Sequence, residues 1–141
     1  MDPGVSGDGE PDLTILYDEA CGFCRTMAGL VLMIDRRRRI GALGFGEAER
    51  RGVTAGIAPE ALRLSWHAVD RRGRHASGGA ALPPLLERLP GGRLPARLAR
   101  TAPGLVDRSY RAVARRRRAL GRVLPAWLRE RAERELRRRR S

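Results

Sequence analysis

Hydrophobic positions along the chain fall into short blocks whose spacing changes from one block to the next. The first block, Leu13–Tyr17, is Leu, Ile, Leu and Tyr around one Thr. So little polar alternation predicts a strand buried on both faces. From Gly22 the spacing becomes helical, with Phe23, Met27, Leu30, Val31 and Ile34 on one face. Asp35 and four arginines, residues 36–39, end that helix, the arginines favoured by the negative end of its dipole. Residues 40–45 read as a second strand weakened by Gly41 and Gly44, and residues 47–57 as a short helix running into a loop at Gly56, ahead of Pro59. Residues 62–70 alternate well enough to predict a third strand, with Arg71-Arg72-Gly73 as a turn and residues 74–77 returning as a hairpin. Gly78 and Gly79 open a helix over residues 80–89, which Pro90-Gly91-Gly92 closes.

The remainder is helical. Residues 94–100 form a weak helix, and Leu105, Val106, Tyr110, Val113 and Ala114 make a stripe that ends in arginines 115–118. After Pro125, Leu128, Ala132 and Leu136 make another stripe, with Glu130–Arg134, Glu133–Arg137 and Glu135–Arg139 as i,i+4 pairs in the favourable order. The predicted class is α/β, a thioredoxin-like β-α-β-(α)-β-β-α core with additional C-terminal helices. Residues 1–11, rich in Gly, Pro, Asp and Ser, are expected to be a disordered tail. Residues 12–92 are expected to form the thioredoxin-like domain, and residues 93–141 an arginine-rich extension packed on it or trailing from it.

Charge sharpens this picture. A chain of 141 residues is one domain by length, and its net charge is +13 with 29 basic residues, every one of them arginine. The first 24 residues hold six acids and no base, whereas residues 108–141 hold 14 arginines against three glutamates. Such a field attracts nucleic acid or anionic membrane, although a charge run is more often a solvated face. No recognition motif interleaves with the arginines, and aromatic platforms are few; Trp66 and Trp127 read as packing residues. No basic and apolar leader is visible at the start, and the longest uncharged apolar run, residues 27–34, is far shorter than a membrane span. A cytoplasmic location is therefore expected.

The chemistry concentrates at Cys21 and Cys24, the only cysteines of the chain. They follow the first strand through Asp18-Glu19-Ala20 and stand at the start of a helix. Two intervening residues in a β-α-β context point to a redox pair. Free backbone N–H groups and the positive end of the helix dipole lower the pKa of a cysteine placed there, whereas Asp18 and Glu19 oppose that effect. In a two-step exchange Cys21 attacks a disulfide and Cys24, one turn further in, resolves the mixed disulfide. Two other readings stay open: a zinc site completed by His67 and His75, whose spacing fits no common zinc module, and a pair of inert buried thiols.

Tyr17-Asp18-x-x-Cys21-x-x-Cys24 after a hydrophobic strand resembles the motif of the DCC family of predicted thiol-disulfide oxidoreductases, small thioredoxin-like proteins. The likeness continues to Tyr110-Arg-Ala-Val-Ala-Arg115, similar to that family's Tyr-Arg-x-x-Ala-Arg segment, and spans roughly residues 12–120. Where the family has Gly after the Asp, this chain has Glu19, and Arg116 replaces an Asn. The proline that thioredoxins place before the third strand is missing here. The resemblance implies a catalytic set of Cys21, Cys24 and Asp18, the last either positioning the site or moving protons, or equally serving as a turn residue. It implies no cofactor and no metal, and a protein or small-molecule disulfide or dithiol as substrate. The competing reading is a basic interaction module that binds nucleic acid or anionic membrane through its arginine-rich helices.

Overall fold

The computed structural model describes residues 11–140, so the tail expected over residues 1–11 lies outside the described residues except for Pro11. Four strands, β1 (Leu13–Tyr17), β2 (Ile40–Gly44), β3 (His67–Asp70) and β4 (His75–Ser77), form one mixed sheet in the order β2-β1-β3-β4. β1 is parallel to β2 and antiparallel to β3, and β4 returns antiparallel to β3. The parallel pair is joined by helix α1 (Gly22–Ile34), which makes the thioredoxin-like β-α-β unit expected from the sequence. Further helices follow: α2 (Phe45–Arg50), α3 (Pro59–Leu64), α4 (Leu82–Arg88), α5 (Arg93–Thr101), α6 (Pro103–Arg115), α7 (Arg117–Val123) and α8 (Ala126–Arg140). No described helix is long and apolar enough to cross a membrane.

β1 is buried on both faces, as its sequence predicts. Leu13, Ile15 and Tyr17 point to one side, into a core with Ala28 and Leu32 of α1, Leu85 of α4 and Leu136 of α8. Leu16 points to the other, against Phe45 and Ala48 of α2 and Leu62 of α3. The sheet thus separates two cores, and α1 with its N-terminal cysteines belongs to the first.

Several elements depart from their predicted form. Residues 62–64 are not strand but the end of α3. Pro59 at the first helical position and Glu60 in the first turn start that helix, and the Leu62–Leu64 alternation imitates a strand because Leu62 is buried while Leu64 is exposed. α2 stops at Arg50 and gives way to turns, with Gly52 at φ +73°, so the helix expected over residues 47–57 is only half realised. The buried positions of α1 are Thr26, Ala28, Gly29 and Leu32, not the predicted face; Ile34 is exposed. The reason is that α1 is covered on two sides, by the sheet and by α8. A Cβ on Gly29 would lie 2.4 Å from the carbonyl oxygen of Ala132, so only glycine allows the two helices to approach this closely. Trp127 is exposed rather than packed. Glu133 pairs with Arg25 of α1 at 2.8 Å rather than with Arg137, whereas the Glu135–Arg139 pair forms at 3.2 Å.

The end of α8 reaches back to the end of α1. Asp35, 1 % exposed, accepts the N–H groups of Arg39 and Ile40 at 3.0 and 2.9 Å, which shapes the loop into β2. Arg139 donates to the Asp35 carboxylate at 3.2 Å, to the Leu32 and Asp35 carbonyls at 2.8 and 2.9 Å, and to the Ile40 carbonyl at 3.2 Å. An arginine in the last charge run is therefore not a solvated residue but the cap of a helix more than a hundred positions earlier. Removing one partner of a buried ion pair typically costs about 3–5 kcal/mol. Arg139→Ala is expected to lose stability of that order in urea unfolding, more than Arg137→Ala on the exposed side of the same turn.

Candidate active site

β1 ends at Tyr17 and the chain reverses before α1 begins. Asp18 makes the reversal: its Oδ1 accepts the Ala20 N–H at 3.0 Å and its carbonyl accepts the Cys21 N–H at 3.1 Å. Asp18 and Glu19 were expected at the helix start, but the first turn of α1 holds no acid, because both residues are spent on the turn that precedes it. Glu19 is directed away from the thiols. Its Oε1 accepts the Gly46 N–H at 2.9 Å, in the first turn of α2, and its carboxylate fills the space a Cβ on Gly44 would need. Of the two glycines that weaken the second strand in the sequence, Gly44 makes room for Glu19, whereas Gly41 lies against Pro11 and Thr14.

Cys21 is the N-cap of α1, with φ −97° and ψ 113°, and its Sγ accepts the Cys24 N–H at 3.3 Å. A helix leaves its first N–H groups without intrahelical partners, and an N-cap side chain satisfies one of them. A thiolate at Cys21 receives that N–H and the positive end of the helix dipole together. Both cysteines are free and partly buried, and Cys24 packs against the main core. Burial first, then the hydrogen bond and charge of Cys21, push the Cys24 thiol up to about 12; Arg117 opposes this and Asp18 adds to it weakly. The two thiols therefore stand in different surroundings, one capping the helix and one half-enclosed beneath it.

Helices from the last third of the chain complete the site. The sequence pattern by itself assigns neither of their key residues, Tyr110 and Arg117, to the site. Tyr110 of α6 accepts the Trp66 N–H at its Oη, 3.1 Å, just ahead of β3. Burial raises the Tyr110 pKa, and the neighbouring Cys24 raises it further against the opposing pull of the Trp66 bond and of Arg117. α6 comes this close because of Gly78-Gly79: a Cβ on Gly79 would lie 2.6 Å from Asp107 Cα, and one on Gly78 3.4 Å from the Tyr110 ring. That dipeptide, unexplained in the sequence except as a helix opening, is a seat for α6. α7 rests on Phe23, between the two cysteines, where a Cβ on Gly121 would meet the Phe23 Cβ at 3.5 Å. The spacing of Arg117, Leu120, Gly121 and Leu124, all half-buried, marks the inward face of α7 and was the available signal for Arg117.

The histidines do not join the cysteines. His67 pairs in register with Leu16, on the opposite face of the sheet, and is 1 % exposed. Its Nε2–H donates to the Leu62 carbonyl at 3.0 Å, and its Nδ1 meets His75 Nε2 at 2.7 Å. Burial holds its pKa below the ordinary 6.5. Among the described residues no group of three His, Cys, Asp or Glu side chains is placed to hold a metal. Two arginine-lined recesses also lie away from the thiols. One of about 430 Å³ sits between the end of α1 and α8, and the other, about 830 Å³, runs along the edge strand β2.

A family model described as DCC1-like thiol-disulfide oxidoreductase matches residues 15–123, from within β1 to the end of α7. The matched span includes Asp18, both cysteines, Tyr110 and Arg117. No curated protein and no solved structure matches the chain significantly.

The asymmetry of the thiols has a direct readout. A thiol whose pKa is raised stays protonated as pH rises through the ordinary thiol range, and protonated thiols alkylate slowly. Iodoacetamide at pH 8 is expected to label Cys21 and to leave Cys24 at least about tenfold slower, read by peptide mass spectrometry. Cys24 should gain on Cys21 only toward its pKa near 12.

Proposed function

The chain belongs to the DCC1-like thiol-disulfide oxidoreductase family, and from that premise we propose that it exchanges disulfides through Cys21 as nucleophile and Cys24 as resolving thiol. The observation that supports this most directly is the N-cap position of Cys21, whose Sγ holds the Cys24 N–H. In the first step the Cys21 thiolate attacks one sulfur of a substrate disulfide. The substrate S–S bond breaks, one substrate thiolate leaves, and Cys21 is held in a mixed disulfide. Cys24 then gives its proton to solvent and attacks Cys21 Sγ, and the second substrate thiolate leaves. Two electrons have passed to the substrate, and the protein carries a Cys21–Cys24 disulfide. With an excess of dithiol the same steps run backward.

The high pKa of Cys24 fits this order of events. Two of the influences that raise it come from Cys21 itself, its hydrogen bond and its charge. A Cys21 thiolate is neutralised when it becomes a mixed disulfide, so its charge no longer opposes ionisation of Cys24, while Arg117 continues to favour it. The resolving thiol becomes more acidic at the moment there is a bond to resolve. Asp18 raises the Cys24 pKa rather than lowering it, which favours its role as the turn that sets Cys21 at the helix start. A protein-disulfide reductase acting in the reducing cytoplasm is the setting in which such a pair rests as a dithiol.

Three variants test the assignment with a small fluorogenic disulfide and intact-mass detection. Cys21→Ser should abolish exchange. Cys24→Ser should accumulate a mixed disulfide at Cys21. Asp18→Asn keeps the oxygen that accepts the Ala20 N–H and should retain activity within about threefold, since the hydrogen bond survives. A collapse of Asp18→Asn activity would make Asp18 a proton-transfer group instead.

A further inference from the structure

α7 presents an apolar stripe to the first turn of α1, with one exception. Leu120, Gly121 and Leu124 are half-buried on its inward side, Arg118, Arg122 and Val123 are exposed, and Arg117 shares the inward side. Gly121 packs on Phe23, the residue between the cysteines, and Arg117 lies one turn earlier on the same face. Its charge acts on both Cys24 and Tyr110. No carboxylate pairs with it among the described residues, although eleven ion pairs involving other arginines are present there. Asp18 is the acid that acts on the same thiol, and its Oδ1 is engaged with the Ala20 N–H. No Arg117 nitrogen is among the described buried atoms that lack a partner, so its stem is covered while its guanidinium stays open to solvent and to an incoming anion.

We propose that Arg117 is a specificity-determining residue of the dithiol site, and that the substrate is a disulfide carrying negative charge, carboxylate or phosphate, close to its sulfurs. This rests on the oxidoreductase reading above. The guanidinium then pairs with the substrate anion as the Cys21 thiolate attacks, and the fork of its N–H donors suits a carboxylate or phosphate. Its charge also offsets the repulsion between an anionic disulfide and an attacking thiolate. The chemistry is shared by a small carboxylate-bearing disulfide and by a disulfide within an acidic peptide.

The test measures exchange of the full chain with oxidised glutathione (anionic), hydroxyethyl disulfide (neutral) and cystamine (cationic). Each rate is divided by that disulfide's rate with free dithiothreitol to remove its intrinsic reactivity. A matched pair of peptide disulfides flanked by Asp or by Lys identifies whether the anion comes from a small molecule or a peptide. The expected result is a preference of about tenfold or more for anionic over cationic substrate at low salt, shrinking toward one near 1 M salt, where screening acts within about 3 Å. Arg117→Gln should remove most of the preference and Arg117→Lys should restore part of it. Equal normalised rates in the unaltered protein would overturn the proposal without any variant. A uniform slowing of all substrates by Arg117→Gln would overturn it too, and would confine Arg117 to the thiols. Absence of exchange with every disulfide would overturn the oxidoreductase reading itself, and the selectivity with it.

Discussion

The buried pair of Asp35 and Arg139 is the constraint on which the rest of the arrangement depends. Without Arg139, Asp35 would be a buried carboxylate held by two backbone N–H groups but lacking the counter-charge that Arg139 supplies at the end of α1. With Arg139 against it, the carboxylate orders the loop into β2 while the guanidinium caps the last carbonyls of the helix. Lysine could not do the same, since a single ammonium lacks the planar fork that reaches several acceptors at once. One side chain therefore joins the end of the first helix, the start of the second strand and the last helix. The far end of α1 is fixed in this way, while the Asp18 turn and α7 hold the end that carries the two cysteines.

The same helix is gripped along its length. Gly29 admits Ala132, and Arg25 meets Glu133. α1 consequently lies between the sheet and α8, with Cys21 capping its first turn and Cys24 packed toward the core. Further cover is supplied by α6 and α7, seated on Gly78-Gly79 and on Phe23. Small residues at the contacts allow backbones to come close, and the polar groups near Cys24 arrive on elements far away in the chain.

The arginine excess is not uniform in use. Arg39 closes on Asp12 at 2.7 Å, Arg25 on Glu133, and Arg139 on Asp35, so several arginines hold the fold together. Arg74 braces the β3–β4 turn through Asp70. Most other arginines face solvent, where their worth to stability is small. Arg117 belongs to neither group, being half-buried on an inward face of α7, whose Gly121 packs on Phe23 between the two cysteines. Composition alone makes these residues look alike, and burial and partners separate them.

The order of strands and helices was legible wherever local pattern and tertiary burial agreed. Leu13–Tyr17 is continuous in hydrophobicity because both its faces are covered, and Leu128, Ala132 and Leu136 repeat at helical spacing because one face of α8 is. The dithiol and its place at a helix start were equally plain, since a CxxC spacing and a strand-turn-helix pattern are local properties. Alternation misled at residues 62–64 because one buried and one exposed leucine two positions apart suit a strand or a short helix alike. The active face of α1, the destination of Glu19, the cap made by Arg139 and the approach of Tyr110 and Arg117 to Cys24 were decided only by the tertiary structure. Each joins residues far apart in the chain, and a long-range pairing leaves no periodicity in either segment. Local sequence determines which elements form and where the cysteine pair stands, whereas the surroundings of that pair depend on which distant side chains pack against it.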